Sequence, residues 1–246
     1  MSLVTKIIKK VFRIPPKCTA VIVAAGLSER MEGEDKLFLK IGDMPVIVHT
    51  LQAFSSCDYI DEIVVVVRRD CVQKVVDMCR RYSIVKVSKV VEGGKTRLDS
   101  VIAGVFASSW KTGLIAIHDG ARPCVDDRTI KKTILKAAKR HAAAPGVPVS
   151  STLKRLNRNI ILETIDRQDV VEIQTPQTFN ADLIKGALTK AKKESPDITD
   201  DCMAVELLGV PVYVTQGSKS NIKITTKDDV LLVGAILQNA GIGNRE

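Results

Sequence analysis

The fold turns on Ala20-Val21-Ile22-Val23-Ala24-Ala25-Gly26-Leu27-Ser28-Glu29-Arg30-Met31, an apolar run that passes into a loop of small residues and then presents a cation. A nearly continuous apolar run at Ala20–Val23 suits a strand buried on both faces of a sheet. Ala24, Ala25 and Gly26 have little or no side chain, so a ligand can approach the backbone and the loop N–H groups can point at anionic oxygens. Arg30 and Lys36 follow with a planar fork and a mobile point charge. Alone, the segment reads equally as an anion cradle or as a tight turn followed by two solvated cations. The rest of the chain has to decide.

Working outward, β-branched runs alternate with segments of helical period. The pattern predicts strands at Ala20–Val23, Glu62–Val67, Val85–Val91 and Leu114–Ile117, with helices at about Pro45–Phe54, Val72–Tyr82, Leu98–Ala107 and Thr129–Arg140. Such alternation implies right-handed βαβ units. The expected fold class is therefore α/β: a doubly wound, mainly parallel but mixed, Rossmann-like sheet with helices on both faces. Ligands of such sheets bind beyond the carboxyl ends of the strands, so the loops after Val23, Val91 and Ile117 should share one rim. After Val147 the pattern changes. Val149–Leu156 and Ile160–Ile165 read as a protruding β-hairpin arm, within 148–170, turning at Asn157-Arg158-Asn159 and too small to be stable unless packed on something else. Helices follow at Ala181–Lys193 and Asp201–Leu208, strands at Val212–Thr215 and Asn221–Ile224, and a last helix at about Asp228–Gln238.

The 246 residues, 45% hydrophobic and 26% charged, suit one α/β unit spanning 18–246, preceded by a basic extension at 1–17. In that extension Val4–Arg13 is a short amphipathic stretch, and Pro15-Pro16 separates it from the first strand. The net charge of +9 points to anionic partners, but Lys and Arg are scattered over helix faces and aromatic residues are only 4%, which disfavours a nucleic-acid-binding surface. No apolar run approaches the roughly 20 residues that span a bilayer. Neither nucleic acid nor membrane is expected as a partner. The six cysteines form no CxxC pair and have no close histidine, so the expectation is reduced, buried thiols in the cytoplasm, without a zinc site.

Two further rim loops carry chemistry. His118-Asp119-Gly120-Ala121-Arg122-Pro123 follows a strand directly, where Asp119 can hold a divalent cation or a ribose hydroxyl and Arg122 can meet a phosphate. The plainer alternative is an Asp-Arg pair that stabilises a turn stiffened by Pro123. Glu92-Gly93-Gly94-Lys95-Thr96-Arg97-Leu98-Asp99-Ser100 also follows a strand, with two glycines that permit close ligand approach before a helix opens.

In this order the three loops resemble the cytidylyltransferases of the nucleotide-diphospho-sugar transferase fold, most closely those acting on 2-C-methyl-D-erythritol 4-phosphate. The family pattern A-A-G-x-x-x-R-M stands at Ala24 to Met31, G-G-x-x-R-x-x-S-V at Gly93 to Val101, and H-D-x-A-R-P at His118 to Pro123. Thr152-Leu153-Lys154, Asp166-Arg167, Thr175-Pro176-Gln177, Thr199-Asp200-Asp201 and Asn221-Ile222-Lys223-Ile224-Thr225 match its later motifs. The resemblance implies transfer of a cytidylyl group from CTP to the phosphate of the alcohol, with release of pyrophosphate. It implies Arg30, Lys36 and Lys223 as the catalytic cations, and Ala24, Ala25, Gly26, Gly94 and Ser100 around the cytosine. Mg²⁺, held mainly by the CTP phosphates, would sit near Asp119. Arg122, Thr152, Arg167, Thr175 and Thr199 would serve the alcohol phosphate, with Thr152 and Arg167 on an arm that reaches into the partner of a homodimer. One departure stands out: the family's Pro-Lys-Gln is replaced by Asp35-Lys36-Leu37, at an interval from Arg30 that is one residue shorter.

Because the attacking group is already an anion, this chemistry needs positioning and charge neutralisation rather than a strong base. His49, His118 and His141 are accordingly expected to do no proton chemistry. A ribitol 5-phosphate cytidylyltransferase shares fold, CTP and reaction, and would differ only at the alcohol pocket. A dinucleotide-dependent oxidoreductase would need G-x-G-x-x-G, whereas Gly26 is followed by Leu27, Ser28 and Glu29. A non-enzymatic nucleic-acid-binding module would leave the rim motifs unexplained.

Overall fold

The computed structural model describes residues 15–26, 35–195 and 197–242. The amphipathic stretch Val4–Arg13 and the candidate Arg30 lie outside the described residues. The apolar run that opens the reading forms β1 (Cys18–Ala24), flanked in parallel by β4 (Glu62–Val67) and β6 (Leu114–Asp119). Its period-two alternation divides the core. Cys18, Ala20, Ile22 and Ala24 enter one apolar cluster with Ile63, Val65, Leu114 and Ala116, while Val21 enters the other with Val66, Ile115 and Ile117. Each fully buried Val or Ile contributes roughly 1.5–3 kcal/mol relative to exposure. The continuous apolar runs therefore sit where both faces are covered.

A small hairpin of β2 (Lys40–Ile41) and β3 (Met44–Pro45) leads into α1 (Val46–Ser56). Helices α2 (Val72–Arg81) and α4 (Asp127–Arg140) join α1 on the first face, with apolar residues of α7 (Lys227–Ile242) packed against the same cluster. The opposite face is covered by α3 (Arg97–Ala107), α5 (Ala181–Glu194) and the short α6 (Asp201–Glu206). Parallel β5 (Val87–Glu92) closes the sheet beyond β4. On the other side of β6 the sheet turns mixed: β11 (Gln177–Asn180) runs antiparallel to both β6 and β7 (Ala142–Pro148), β10 (Val171–Ile173) is antiparallel to β7, and β12 (Tyr213–Gln216) is parallel to it. The expected doubly wound, mixed sheet is thus present, with eight strands.

The arm is β8 (Leu153–Asn157) and β9 (Ile160–Ile165), which among the described residues pair only with each other and expose Leu156, Ile160, Ile161 and Leu162.

Several expectations need correction. The strand expected at Val149–Leu156 begins only at Leu153, and the fifth strand begins at Val87, with Val85 left exposed. Asn221–Ile224 is not a strand; Ile224 N–H donates to Ala121 O (2.9 Å), tying the segment to the loop after β6 rather than to a sheet edge. β7 was not expected. Its Ala-Ala-Ala-Pro-Gly sequence has low strand propensity, yet Ala142, Ala143 and Ala144 are completely buried, because neighbours on both edges and both faces leave room only for small side chains.

Candidate active site

The carboxyl ends of β1 and β6 and the loop that follows β5 open onto a cleft of about 410 Å³. One rim is the segment from Glu92 to Ser100. Gly93 N–H donates to Val67 O (2.8 Å), and Gly94 N–H donates to Ser100 Oγ (3.1 Å), whose hydroxyl donates to Thr96 O (3.0 Å). Thr96 caps α3 in a reciprocal box: Asp99 N–H donates to its Oγ1 and Thr96 N–H donates to Asp99 Oδ2. A Cβ on Gly93 would stand 2.5 Å from Ala25 Cβ and 2.7 Å from Ser100 Oγ, so this glycine lets the loops after β5 and β1 touch.

The opposite rim follows β6. Gly120 fits only without a side chain, since a Cβ there would lie 2.8 Å from Ala24 Cβ, and Thr50 of α1 donates to its carbonyl (2.9 Å). This close seat places Asp119 at the cleft floor. Its Oδ2 meets both Lys223 Nζ (3.0 Å) and Arg122 Nε (3.2 Å). Burial alone would raise the Asp119 pKa, but Lys223, Arg97 and Arg122 overcome it and hold the carboxyl well below the usual range. Arg122 also donates to Asn221 O (2.7 Å), and the buried Asn221 amide donates to Thr175 O (2.8 Å).

Behind Asp119 lies a neutral chain of hydrogen bonds. His118 Nε2 can only donate to Arg122 O (3.3 Å), so in the neutral ring Nδ1 accepts the hydroxyl proton of Thr175 (2.9 Å), whose Oγ1 in turn accepts from Asp119 N–H (3.2 Å). Burial pushes the His118 pKa down to about 3, against an opposing pull from Asp119, and so keeps the ring neutral. Its expected lack of proton chemistry now has a positive counterpart: it orients the backbone on either side of Asp119.

Arg97, at the start of α3, reaches α6 with a two-pronged contact to the fully buried Asp201 (3.0 and 2.7 Å). Burial pushes the Asp201 carboxyl up, and the Arg97 guanidinium opposes it. Gln177 completes the join, its Oε1 accepting from Asp201 and Cys202 N–H (both 3.0 Å) and its amide donating to Asp200 Oδ2 (2.8 Å).

Of the residues singled out in the sequence, Ala24, Ala25, Gly26, Gly94 and Ser100 line the cleft, together with Lys36, Asp119 and Lys223. Arg122 borders an adjoining cleft of about 370 Å³, which Lys223 also lines. Thr175 is buried behind Asp119 and lines neither cleft. Thr199 stands apart, its hydroxyl on Met203 Sδ (3.8 Å); Thr152 and Arg167 lie at the base of the arm, with Arg167 bonded to Ser150 O. The sequence reading missed Arg97, Gln177 and Asn221 as structural partners of the site. Each sits inside a quoted motif, but their partners are far away in sequence.

Among the described residues no three His, Cys, Asp or Glu side chains come together as a metal cage. Asp119 is a single carboxylate with two cations on one oxygen. Mg²⁺ binds through one or two carboxylates plus substrate phosphates, so this donor set fits an ion that arrives on a triphosphate.

A glycine loop and a cluster of cations at the carboxyl rim of a parallel sheet define a nucleotide-binding α/β enzyme. The comparisons narrow this. The chain belongs to the 2-C-methyl-D-erythritol 4-phosphate cytidylyltransferase family, whose model matches residues 18–239. It is 42% identical over 220 residues to a 2-C-methyl-D-erythritol 4-phosphate cytidylyltransferase of Halalkalibacterium halodurans, covering 89% of this chain and 96% of that one. A Clostridium botulinum enzyme of the same description is 42% identical over 224 residues, 90% of this chain and 98% of its own. Among solved structures, the 4-diphosphocytidyl-2C-methyl-D-erythritol synthase of Anaerococcus prevotii superposes with a TM-score of 0.81 at 31% identity, covering 91% of this chain and 96% of that one. The Thermus thermophilus cytidylyltransferase gives 0.74 at 28% identity, over 89% and 98%.

Proposed function

We propose that the protein transfers the cytidylyl group of CTP to 2-C-methyl-D-erythritol 4-phosphate, forming 4-diphosphocytidyl-2-C-methyl-D-erythritol and pyrophosphate for isoprenoid precursor synthesis. The observation that carries this reading is the position of Lys223. It lines both clefts and is paired to Asp119 at 3.0 Å, so one cation stands where a nucleotide in the larger cleft and an alcohol phosphate in the smaller would meet.

In the reaction a phosphate oxygen of the alcohol bonds to the α-phosphorus of CTP as the bond to the bridging oxygen of pyrophosphate breaks. The nucleophile needs no deprotonation, and His118 is buried and neutral. The work left to the protein is alignment and charge stabilisation. Ala24, Ala25, Gly26, Gly94 and Ser100 hold the cytosine end. Lys36, with Arg30 from outside the described residues, takes the triphosphate, and Lys223 meets the charge that builds at the α-phosphorus. Asp119 would stand beside a Mg²⁺ carried on the nucleotide phosphates, which would supply neutralisation of phosphate charge. Arg122 holds the alcohol phosphate in the smaller cleft, while Thr175 supports Asp119.

The arm gives a reason for a homodimer. A two-stranded hairpin that exposes Leu156, Ile160, Ile161 and Leu162 has no core of its own, and burial on a second copy supplies one. Thr152 and Arg167 then serve the partner's site. Residues 18–246 act as one nucleotidyltransferase unit after the extension at 1–17, and six separate buried thiols suit the reducing cytoplasm.

The deciding experiment is pyrophosphate release by the purified protein with CTP, Mg²⁺ and either alcohol phosphate. Turnover with methylerythritol 4-phosphate is expected, while turnover with ribitol 5-phosphate alone would overturn the substrate assignment.

A further inference from the structure

The residue that departs most clearly from the family pattern, Asp35, is held by a side chain from another strand. Arg68 stands one position beyond β4, and its guanidinium reaches both flanks of the loop that follows β1. Nη2 donates to Asp35 Oδ2 (2.7 Å), and Nη1 donates to Gly26 O (3.4 Å). Both side chains are mostly sheltered, at 24% and 20% exposure. The second carboxylate oxygen of Asp35 accepts from Leu37 N–H (3.1 Å), and its carbonyl accepts from Phe38 N–H (2.9 Å), so the turn containing Lys36 is built on Asp35. Ile47 N–H then donates to Leu37 O (3.0 Å), anchoring the far side of that turn to α1.

We propose that Arg68 and Asp35 form a clasp that ties the turn containing Lys36 to Gly26 and the end of β4 and so positions Lys36 at the triphosphate; Arg68 is a positioning residue for nucleotide binding. The proposal rests on the CTP reading of the cleft. A guanidinium suits the task because its planar fork serves two acceptors at once, which the single ammonium of lysine does less well. The remaining partners of Arg68, Asp70 (3.4 Å) and Cys71 Sγ (3.2 Å), are its own near neighbours and tie it to the end of β4 without touching the loop. Where the family pattern has proline before the lysine, restraint comes from the backbone ring. Here a tertiary ion pair takes its place.

The test is calorimetric titration of the full chain with MgCTP and with CMP, for wild type, Arg68→Met, Asp35→Asn and the double variant, with thermal unfolding of each. A partly buried pair worth one factor of ten in affinity predicts that either single variant weakens MgCTP about tenfold, with CMP changed less than about threefold, and that the double variant is no weaker than the singles. Steady-state kinetics should place the loss in KM for CTP and leave KM for the alcohol phosphate unchanged. Equal losses for MgCTP and CMP, or losses that multiply in the double variant, would overturn the clasp. Wild-type protein that fails to bind CTP overturns the functional reading and this proposal together, whereas tight wild-type binding matched by the variants overturns the clasp alone.

Discussion

The two rims of the cleft are held together over very different lengths of chain. From Gly94 to Ser100 the bonds are local: Ser100 serves Gly94 six residues away, and Thr96 and Asp99 cap each other across three. Around Asp119 the partners come from afar. Thr175 lies 56 residues on, and Asn221 meets Arg122 across 99. The near rim largely makes its own shape and is tied to distant chain by Arg97 on Asp201 and Lys192 on Asp99, whereas the far rim exists only when the whole sheet has folded. Breaking a long-range tie should therefore cost the most stability, removing a charge aimed into the cleft should cost chemistry, and removing a locally bonded group should stay small and confined.

The largest effect is expected at Asp201. Asp201→Ala leaves the Arg97 guanidinium without its buried partner, and breaking such a pair from one side costs about 3–5 kcal/mol; urea unfolding measures it. A loss under about 1 kcal/mol would show that the join between α3 and α6 is held by something other than this pair. Next comes Lys223→Ala, which removes a preorganised charge between the two substrates. Turnover should fall by about 10²–10³, the usual consequence of losing one such contact, while the unfolding midpoint moves little because Arg122 remains on Asp119. Near-normal turnover would take Lys223 out of the mechanism.

The same contrast explains what the sequence could disclose. Strands β1, β4 and β6 announce themselves because each is buried on both faces and made of β-branched or small apolar residues. The glycine loops are legible because backbone approach requires small residues at fixed places. Strand β7 is silent because the crowding that demands alanine and glycine comes from neighbours distant in sequence, which no local propensity records. Asn221–Ile224 misleads in the opposite sense: its Ile-Lys-Ile alternation looks like a strand, but its apolar residues turn into the core while its backbone binds the loop after β6. Likewise Arg97 and Gln177 were visible as letters in motifs. Their jobs were not, since Asp201 and Asp200 become neighbours only on folding.

A smaller effect should appear with pH. His118 has a native pKa near 3 against an ordinary 6.5, so between these values the unfolded chain takes up a proton that the native ring refuses. Its contribution is intact above pH 6.5 and is lost as pH falls, at up to about 1.4 kcal/mol per unit. The lowered carboxyls of Glu62, Asp99, Asp119 and Asp229 have ordinary values of 4.5 or 3.8 and add their own losses only near and below those values. Unfolding free energy measured at pH 6.5 and 5.5 should therefore fall in the wild type and fall less in His118→Gln. Equal slopes would mean that the ring is not kept neutral by burial.

The smallest effect belongs to the near rim. Thr96→Ala removes the Oγ1 that accepts Asp99 N–H at 3.1 Å and opens one half of the α3 capping box. Loss of an N-cap of this kind costs typically about 1 kcal/mol, and Thr96→Ser, which keeps the acceptor, should recover most of it. The distant ties of this rim, Arg97 to Asp201 and Lys192 to Asp99, are made by other side chains, whereas the threonine hydroxyl serves the Asp99 N–H three residues away. Combining Thr96→Ala with Asp201→Ala should then give additive losses in urea unfolding, as independent sites do. A coupling above about 0.5 kcal/mol would show that Arg97, seated at the head of α3 and paired to Asp201, makes the capping box and α6 one unit.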